Sequence, residues 1–510
     1  VRKKTFIAIS IIKRVTPLIL LLFVGISGFS QTRKIRLIQA DEAVYDKSLG
    51  EDVQRLLGNA VFEHEGAFMY CDSAHLNNAT NSMKAYGKVH IKSSDTLHLY
   101  GDSIYYSGET RIAEVFSNVK LIDNKTILTT DKLLYDRNTG IASYTTGGHI
   151  VNENNTLDSQ RGYYHTNSKD FFFRTNVILT NPDYVMNCDT LKYNTQTKIS
   201  NFRGPTTIRG KDTDIYAENG FYNTDTDIAE FNENARVRNG DQVLTGDSLY
   251  YERIRGYGQA FRNIQVIDTV QDIIVHGHYA LYDKSLGYTM ITDSTEALII
   301  EKNDTLYVHS DTIKATIDSA NKTKELFAYY KMKFYRDDFQ GMADSMVYVF
   351  ADSSLYLYKL PVVWTDENQL TADSIKVLTG KDEIKKMHLY NTAFLVSKDT
   401  VGEGYNQIKG RNMTGSFVKN DLVTIAVDGN AETVYYVRED DGTLTGILKA
   451  FSSNMSIKLR DKKIKRITYL EKPNGTLYPE GDLPASELLL KNFQWLGDRR
   501  PLTKSDIFKW

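Results

Sequence analysis

The side chains best placed to do chemistry in this chain are acidic, and they recur. Asp41, Asp72, Asp102, Asp131, Asp189, Asp247, Asp311, Asp344 and Asp373 each follow a small residue, and Gln160, Glu218, His278 and Arg411 hold the same place in four further copies. Stacked carboxylates on a β-scaffold can bind calcium and cleave polysaccharide. Successive copies of a hairpin repeat stand about 9.6 Å apart, however, two rungs at about 4.8 Å each. That is too far to share a cation held at about 2.3–2.6 Å. A corner role accounts for the column instead, the carboxylate accepting an N–H freed where a strand bends. His276 and His278 share a strand face, and His309 is the counterpart of His276 one repeat on. Zinc would need these rings to converge at about 2.0–2.1 Å, and the repeat rise keeps them apart. The chain contains no GxSxG, HExxH, phosphate loop or Cys–His pairing. No catalytic residue, metal or cofactor is therefore expected.

The elements that would position this column form a repeat. The thirteen anchors from 41 to 411 are separated by 31 and 30 residues, then five times by 29, then by 31, 33, 33, 29 and 38. Four places after the anchor, nine copies carry Tyr: 45, 106, 135, 164, 193, 222, 251, 282 and 348. Apolar residues stand three before the anchor and two and four after it, as in Leu128, Leu133 and Tyr135, or Leu244, Leu249 and Tyr251. Positions five apart on an uninterrupted strand face opposite sides. Both flanks reach one interior only if the strand bends at the small–Asp pair. A polar turn follows each Tyr, and a returning strand breaks in its turn at Gly87, Asn118, Asn176, Asn234 or Asn263. Each repeat reads as a hairpin of two bent strands. Stacked hairpins give an all-β fold, an elongated antiparallel sheet creased lengthwise into a V or flattened roll.

Composition agrees. The 510 residues are 41% hydrophobic and 25% charged, with 33 Tyr and 8 Pro, which excludes a multi-span membrane protein and suits strands. With 62 basic and 64 acidic residues there is no basic excess for a nucleic-acid backbone. Residues 1–30 read as a signal peptide: Arg2, Lys3, Lys4, Lys13 and Arg14, an apolar run from Leu18 to Val24, and Gly28 and Ser30 before a cleavage site at Gln31. An uncleaved anchor is the alternative. Without those five basic residues the exported chain carries 57 basic and 64 acidic side chains, a charge of −7. Cys71 and Cys188 lie four repeats apart, about 38 Å at this rise. They are expected to stay unpaired, since a disulfide needs Cα atoms within about 7 Å.

The small–Asp corner, the Tyr four residues on, the polar turn and the Gly/Asn–Val step (Gly58-Asn59-Ala60-Val61, Asn118-Val119, Asn176-Val177) resemble the OstA/LptA family of lipopolysaccharide-transport proteins. The resemblance covers about residues 36–420. It implies a β-jellyroll or "β-taco", a periplasmic location and a non-enzymatic role. In that role lipid A acyl chains lie in an apolar groove on their way to the outer membrane. It also implies partners: lipopolysaccharide, an inner-membrane transporter, an outer-membrane translocon, and end-to-end self-association. The groove lining expected on this basis is Leu133, Tyr135, Leu191, Tyr193, Phe221, Leu249, Tyr251, Leu281 and Tyr282. The corners are Asp72, Asp102, Asp131, Asp189, Asp247, Asp311, Asp344 and Asp373.

Two other readings use the same residues. The Tyr/Leu column equally suits a filled core, as in an envelope scaffold or adhesin, and a polysaccharide-active enzyme is the third reading. The array is assigned to residues 31–425, with 426–470 continuing the sheet and 471–510 forming a C-terminal tail. Four of the eight prolines and two of the three tryptophans lie after residue 470. Within the tail, residues 485–495 have the pattern of a short amphipathic helix. The tail either caps the last sheet edge or docks an outer-membrane partner.

Overall fold

A computed structural model describes residues 34–45, 47–300, 304–318, 323–380, 383–399, 401–439, 441–460 and 463–510. The leader assigned to 1–30 lies outside the described residues. Among the described residues thirty-six strands form one antiparallel sheet, each long strand pairing with the next in sequence. The creased sheet read from the sequence is the fold.

Strands Ile112–Asp123 and Thr126–Asp136 show how the crease is made. Phe116 pairs with Lys132 and Val119 with Thr130, so Ser117 and Asn118 together oppose Asp131 alone. Both extra residues are left-handed, with φ of 58° and 53°. The two-against-one bulge shifts the in–out alternation by one residue. Leu128 before the corner and Leu133 and Tyr135 after it therefore all point inward and are buried.

The same device repeats along the sheet. Left-handed pairs occur at Gly58-Asn59, Gly87-Lys88, Thr175-Asn176, Glu233-Asn234, Arg262-Asn263, Asp293-Ser294 and Tyr330-Lys331. On the strand that follows, they oppose in turn Asp72, Asp102, Asp189, Asp247, His278, Asp311 and Asp344. Asparagine side chains brace the corners from the neighbouring strand. Asn118 Nδ2 donates to Asp102 at 2.7 Å, Asn234 to Glu218 at 2.8 Å and Asn263 to Asp247 at 3.0 Å. The donors these carboxylates accept are thus side-chain amides. At the later corners Lys359 Nζ reaches Asp344 at 2.9 Å and Thr392 Oγ1 reaches Asp373 at 2.6 Å.

Beyond the array, strands Asp421–Arg438 and Leu444–Arg460 join the same sheet, and Gly429-Asn430 makes another left-handed pair. One crease is specialised. The Tyr144 ring lies across it, its hydroxyl 2.7 Å from Ser159 Oγ. A Cβ on Gly148 would sit 2.3 Å from that ring, and one on Gly162 2.5 Å. Only glycine fits on either side.

The tail holds 3-10 turns, Ala485–Glu487, Gly497–Arg499 and Lys504–Phe508, and the helix expected over 485–495 is reduced to the first of them. Cys71 and Cys188 are free and buried, and burial pushes both thiols up to about 12. At pH 8 the folded chain is expected to resist a thiol reagent that labels the urea-unfolded chain at two sites. Gly162→Ala is expected to cost about 1–3 kcal/mol by forcing Tyr144 from its place. Urea denaturation of the variant, with Lys120→Ala at an exposed strand position as a control, measures the loss.

Candidate functional site: a trough sealed over part of its length

The inner faces of the two arms make an apolar trough, and its state changes along the chain. From Leu56 to Ile208 the inner side chains are buried nearly to the mouth, including Met69, Leu76, Met83, Ile91, Leu121 and Leu179. A cavity of about 20 Å³ lined by Phe62, Met69, Met83, Ile91 and Tyr135 remains near the start. It has room for about one water.

Polar straps close the mouth of this stretch. Tyr106 Oη lies 2.7 Å from His64 Nδ1, and Arg137 donates to Tyr106 Oη at 3.0 Å and to the His64 carbonyl at 3.1 Å. Arg111 bonds Glu65 at 2.7 Å and holds that carboxyl below its usual range. In the next strap Tyr164 donates to Asp123 at 2.7 Å, and Lys169 pairs with the same carboxylate. Burial, reinforced by Asp123, pushes the Tyr164 phenol up. Further on, Tyr193 donates to Asn152 at 3.3 Å, and Lys198 reaches Asn152 at 3.2 Å and Glu153 at 3.1 Å. Each strap joins one arm to the other, and the tyrosines are those of the repeat column.

Between residues 213 and 306 the trough loosens, and from Val308 onward its inner side chains are buried again. The inward-facing Ile215, Tyr222, Val237, Leu244, Val266, Ile299 and Leu306 are only partly buried, packed against a deeper layer that includes Phe231, Leu249, Ile264 and Ile291. Tyr251 is 38% exposed. Across the start of this mouth the polar link is a loose one, Arg253 to Asp183 at 3.7 Å, beside an edge-on contact of the Tyr184 and Tyr222 rings at 5.3 Å.

The expected lining residues divide accordingly. Leu133, Tyr135, Leu191 and Tyr193 are packed core of the sealed stretch. Leu249, Tyr251 and Tyr282 face the interior of the loosened stretch, through the pairs Leu249 with Phe231, Tyr251 with Ala229 and Tyr282 with Gly258. Phe221 and Leu281 are corrected to the outer face, where Phe221 pairs with Glu230 and Leu281 with Gln259. In both cases the neighbouring Tyr takes the inner position. The corner aspartates sit on the outer ridge, away from the trough.

Among the described residues, no group of three or more His, Cys, Asp and Glu side chains is placed to hold a metal ion. His309 instead bonds the Thr295 carbonyl at 2.7 Å and packs on Phe508, 4.6 Å between ring centroids.

Reading the repeat alone misses a second column. Gln340, Gln369 and Gln407 each stand four residues before an anchor, and all three bind the returning tail. Gln407 donates to the Leu488 carbonyl and accepts from Leu490 N–H, both at 2.8 Å. Gln369 does the same with Gln494 and Leu496 at 2.7 Å. Gln340 accepts from the Arg500 guanidinium at 2.6 Å. The tail thus first covers the sheet end, where Asn474–Tyr478 pairs as a strand with Ile447–Phe451, and then runs back along the outer face of one arm.

Replacing Asp123 by Ala strands Lys169 and the Tyr164 hydroxyl at a closed mouth. A loss of about 2–4 kcal/mol is expected in urea denaturation, together with increased binding of an apolar dye. Glu153→Ala, at a more exposed strap, is expected to move the urea midpoint much less than Asp123→Ala does.

The model of a family described as OstA-like protein matches residues 32–189 and 185–290. No curated protein matches the chain. Those two segments together span half of the 510 residues and contain the straps, the creases up to Arg262-Asn263 and much of the loosened trough, and the chain belongs to the OstA-like family.

Proposed function

We propose that this is a non-enzymatic, exported lipid-binding protein. It takes the acyl chains of lipopolysaccharide-type amphiphiles into the loosened stretch of its trough on their way to the outer membrane. The observation that carries the reading is the partly exposed apolar lining from Ile215 to Leu306, set between two arms of one sheet. An acyl chain entering it leaves water at roughly 0.8 kcal/mol per buried CH₂, while sugars and phosphates stay outside. Many similar shallow contacts in sequence let a chain advance without a deep minimum. Lipid A is the ligand class, and an inner-membrane transporter and an outer-membrane translocon are the partners at the two ends of the path, with end-to-end stacking of copies as an added means of spanning it.

The filled-core reading also has support, but over a different stretch. From Leu56 to Ile208 the interior is closed, as a scaffold would have it. The two readings therefore describe different parts of one sheet, with the binding stretch set between packed ones before it and after Val308.

Photo-crosslinking in the periplasm tests this. Crosslinkers at Leu244 and Tyr251, one on each arm, are expected to capture lipid A, while those at Leu191 and Tyr193 in the sealed stretch and at the outward Tyr250 capture little. Equal capture at Leu191 and Leu244 would refute the division, and capture at Tyr250 alone would refute the trough.

A further inference from the structure

We propose that one rim of the loosened stretch is a membrane-docking lip, built from the turns Arg253-Ile254-Arg255-Gly256 and Lys284-Ser285-Leu286-Gly287, that seats on an anionic bilayer surface. The purpose of the lip rests on the trough reading above; its existence does not.

On this rim the first turn, Lys47-Ser48-Leu49-Gly50, carries Leu49 at its tip, 40% exposed, but from residue 138 to 226 the tips are polar: Asn138 and Thr139, Asn167 and Ser168, Gln196 and Thr197, Asp225 and Thr226. At the next two positions the tips become apolar, and Ile254 is 77% and Leu286 65% exposed. The change falls within the loosened stretch, one turn after the straps end. An apolar tip has no folding reason to project into water, and the preceding copies show that a polar tip makes the same turn.

Three basic side chains flank the two tips. Arg253 and Arg255 are more than half exposed, and their nearest carboxylates lie at 3.7–3.8 Å. Arg255 also lies over the Tyr257 ring at 4.3 Å, which holds it beside the turn. Lys284 is exposed. Exposed apolar tips between basic side chains are the pattern of a segment whose apolar groups enter the acyl boundary while its charges meet phosphates. The two turns are also joined, with Lys284 N–H bonded to the Gly256 carbonyl at 2.9 Å. They present one fixed edge rather than two independent loops.

The opposite rim supports a one-sided approach. It carries Asp241, Asp268 and Asp272 around its apolar tip Val270, and an anionic surface repels it. The sheet then meets the bilayer on the basic lip with the mouth beside the leaflet, so that an acyl chain passes between membrane and trough without crossing open water.

Cosedimentation of the full exported chain with vesicles measures the docking, comparing vesicles rich in phosphatidylglycerol with phosphatidylcholine alone. The wild-type chain is expected to bind the anionic vesicles preferentially. Ile254→Ser with Leu286→Ser should weaken binding about tenfold or more, and Arg255→Gln with Lys284→Gln should remove the anionic preference. All four positions are exposed, and unchanged thermal unfolding of the variants shows that the fold is kept. A fluorescent fatty acid read in parallel separates this proposal from the trough. Lip variants that bind the fatty acid normally but not vesicles support the lip. Vesicle binding without fatty-acid binding by the wild type supports the lip and refutes the trough. Lip variants that sediment like the wild type overturn the lip.

Discussion

The structure depends on one backbone constraint, two left-handed residues set against a single extended one at every crease. Without that bulge the alternation of an ordinary strand would send Leu133 and Tyr135 to the surface while Leu128 stayed inside. A left-handed residue costs about 1–2 kcal/mol when it carries a Cβ, and less for Gly and Asn. Fully burying two side chains of Leu or Tyr size returns about 1.5–3 kcal/mol each. The crease is therefore favourable wherever it brings two such groups inside. Gly and Asn at many of the bulges, with Asn amides bonded to the corner carboxylates, lower the cost further.

The same crease serves two states of the trough, and what separates them is the mouth. In the sealed stretch each pair of arms is held by a tyrosine hydroxyl and a cation reaching an acceptor on the facing arm. Such a link is strong because it is shielded. Asp123 is buried, so Tyr164 and Lys169 meet it with little competition from water. At Tyr222 the phenol turns to Asp227, on its own side of the mouth, and the facing arm loses that tie. The tyrosine column is continuous, but its partner is not. Repetition of the fold thus does not carry repetition of the role.

That difference governs which features can be read from the sequence. The crease is legible because its parts are local: a small residue, an Asp, and apolar groups at fixed offsets within eight residues. Phe221 and Leu281 are misplaced by such a reading because each precedes a Tyr, and two apolar residues in succession leave the phase of the alternation open. The straps are not legible from single copies, since they join residues about 41 apart, Asp123 with Tyr164 and Asn152 with Tyr193. The repeated offset is a signal, but only once the two arms are known to face each other. The sealed and loosened stretches share the same Leu and Tyr positions, so their difference lies in the turns, which a search for the column passes over.

The tail shows the complementary case, a segment whose form is decided by what it lies on. Residues 485–495 have apolar spacing suited to a helix, yet only one short 3-10 turn forms there. A chain leaving a sheet must still satisfy its backbone polar groups. A glutamine amide carries one donor and one acceptor group side by side, matching the N–H and C=O of an extended segment. Gln407 takes Leu488 and Leu490 in this way, and Gln369 takes Gln494 and Leu496. With those groups satisfied from the sheet, the helix's own hydrogen bonds are no longer needed, and Leu483 and Leu490 are free to pack on Phe394, Val396 and Val434. The outer face of the last repeats therefore selects an irregular chain over a helix, through Gln369 and Gln407 in the register of the crease.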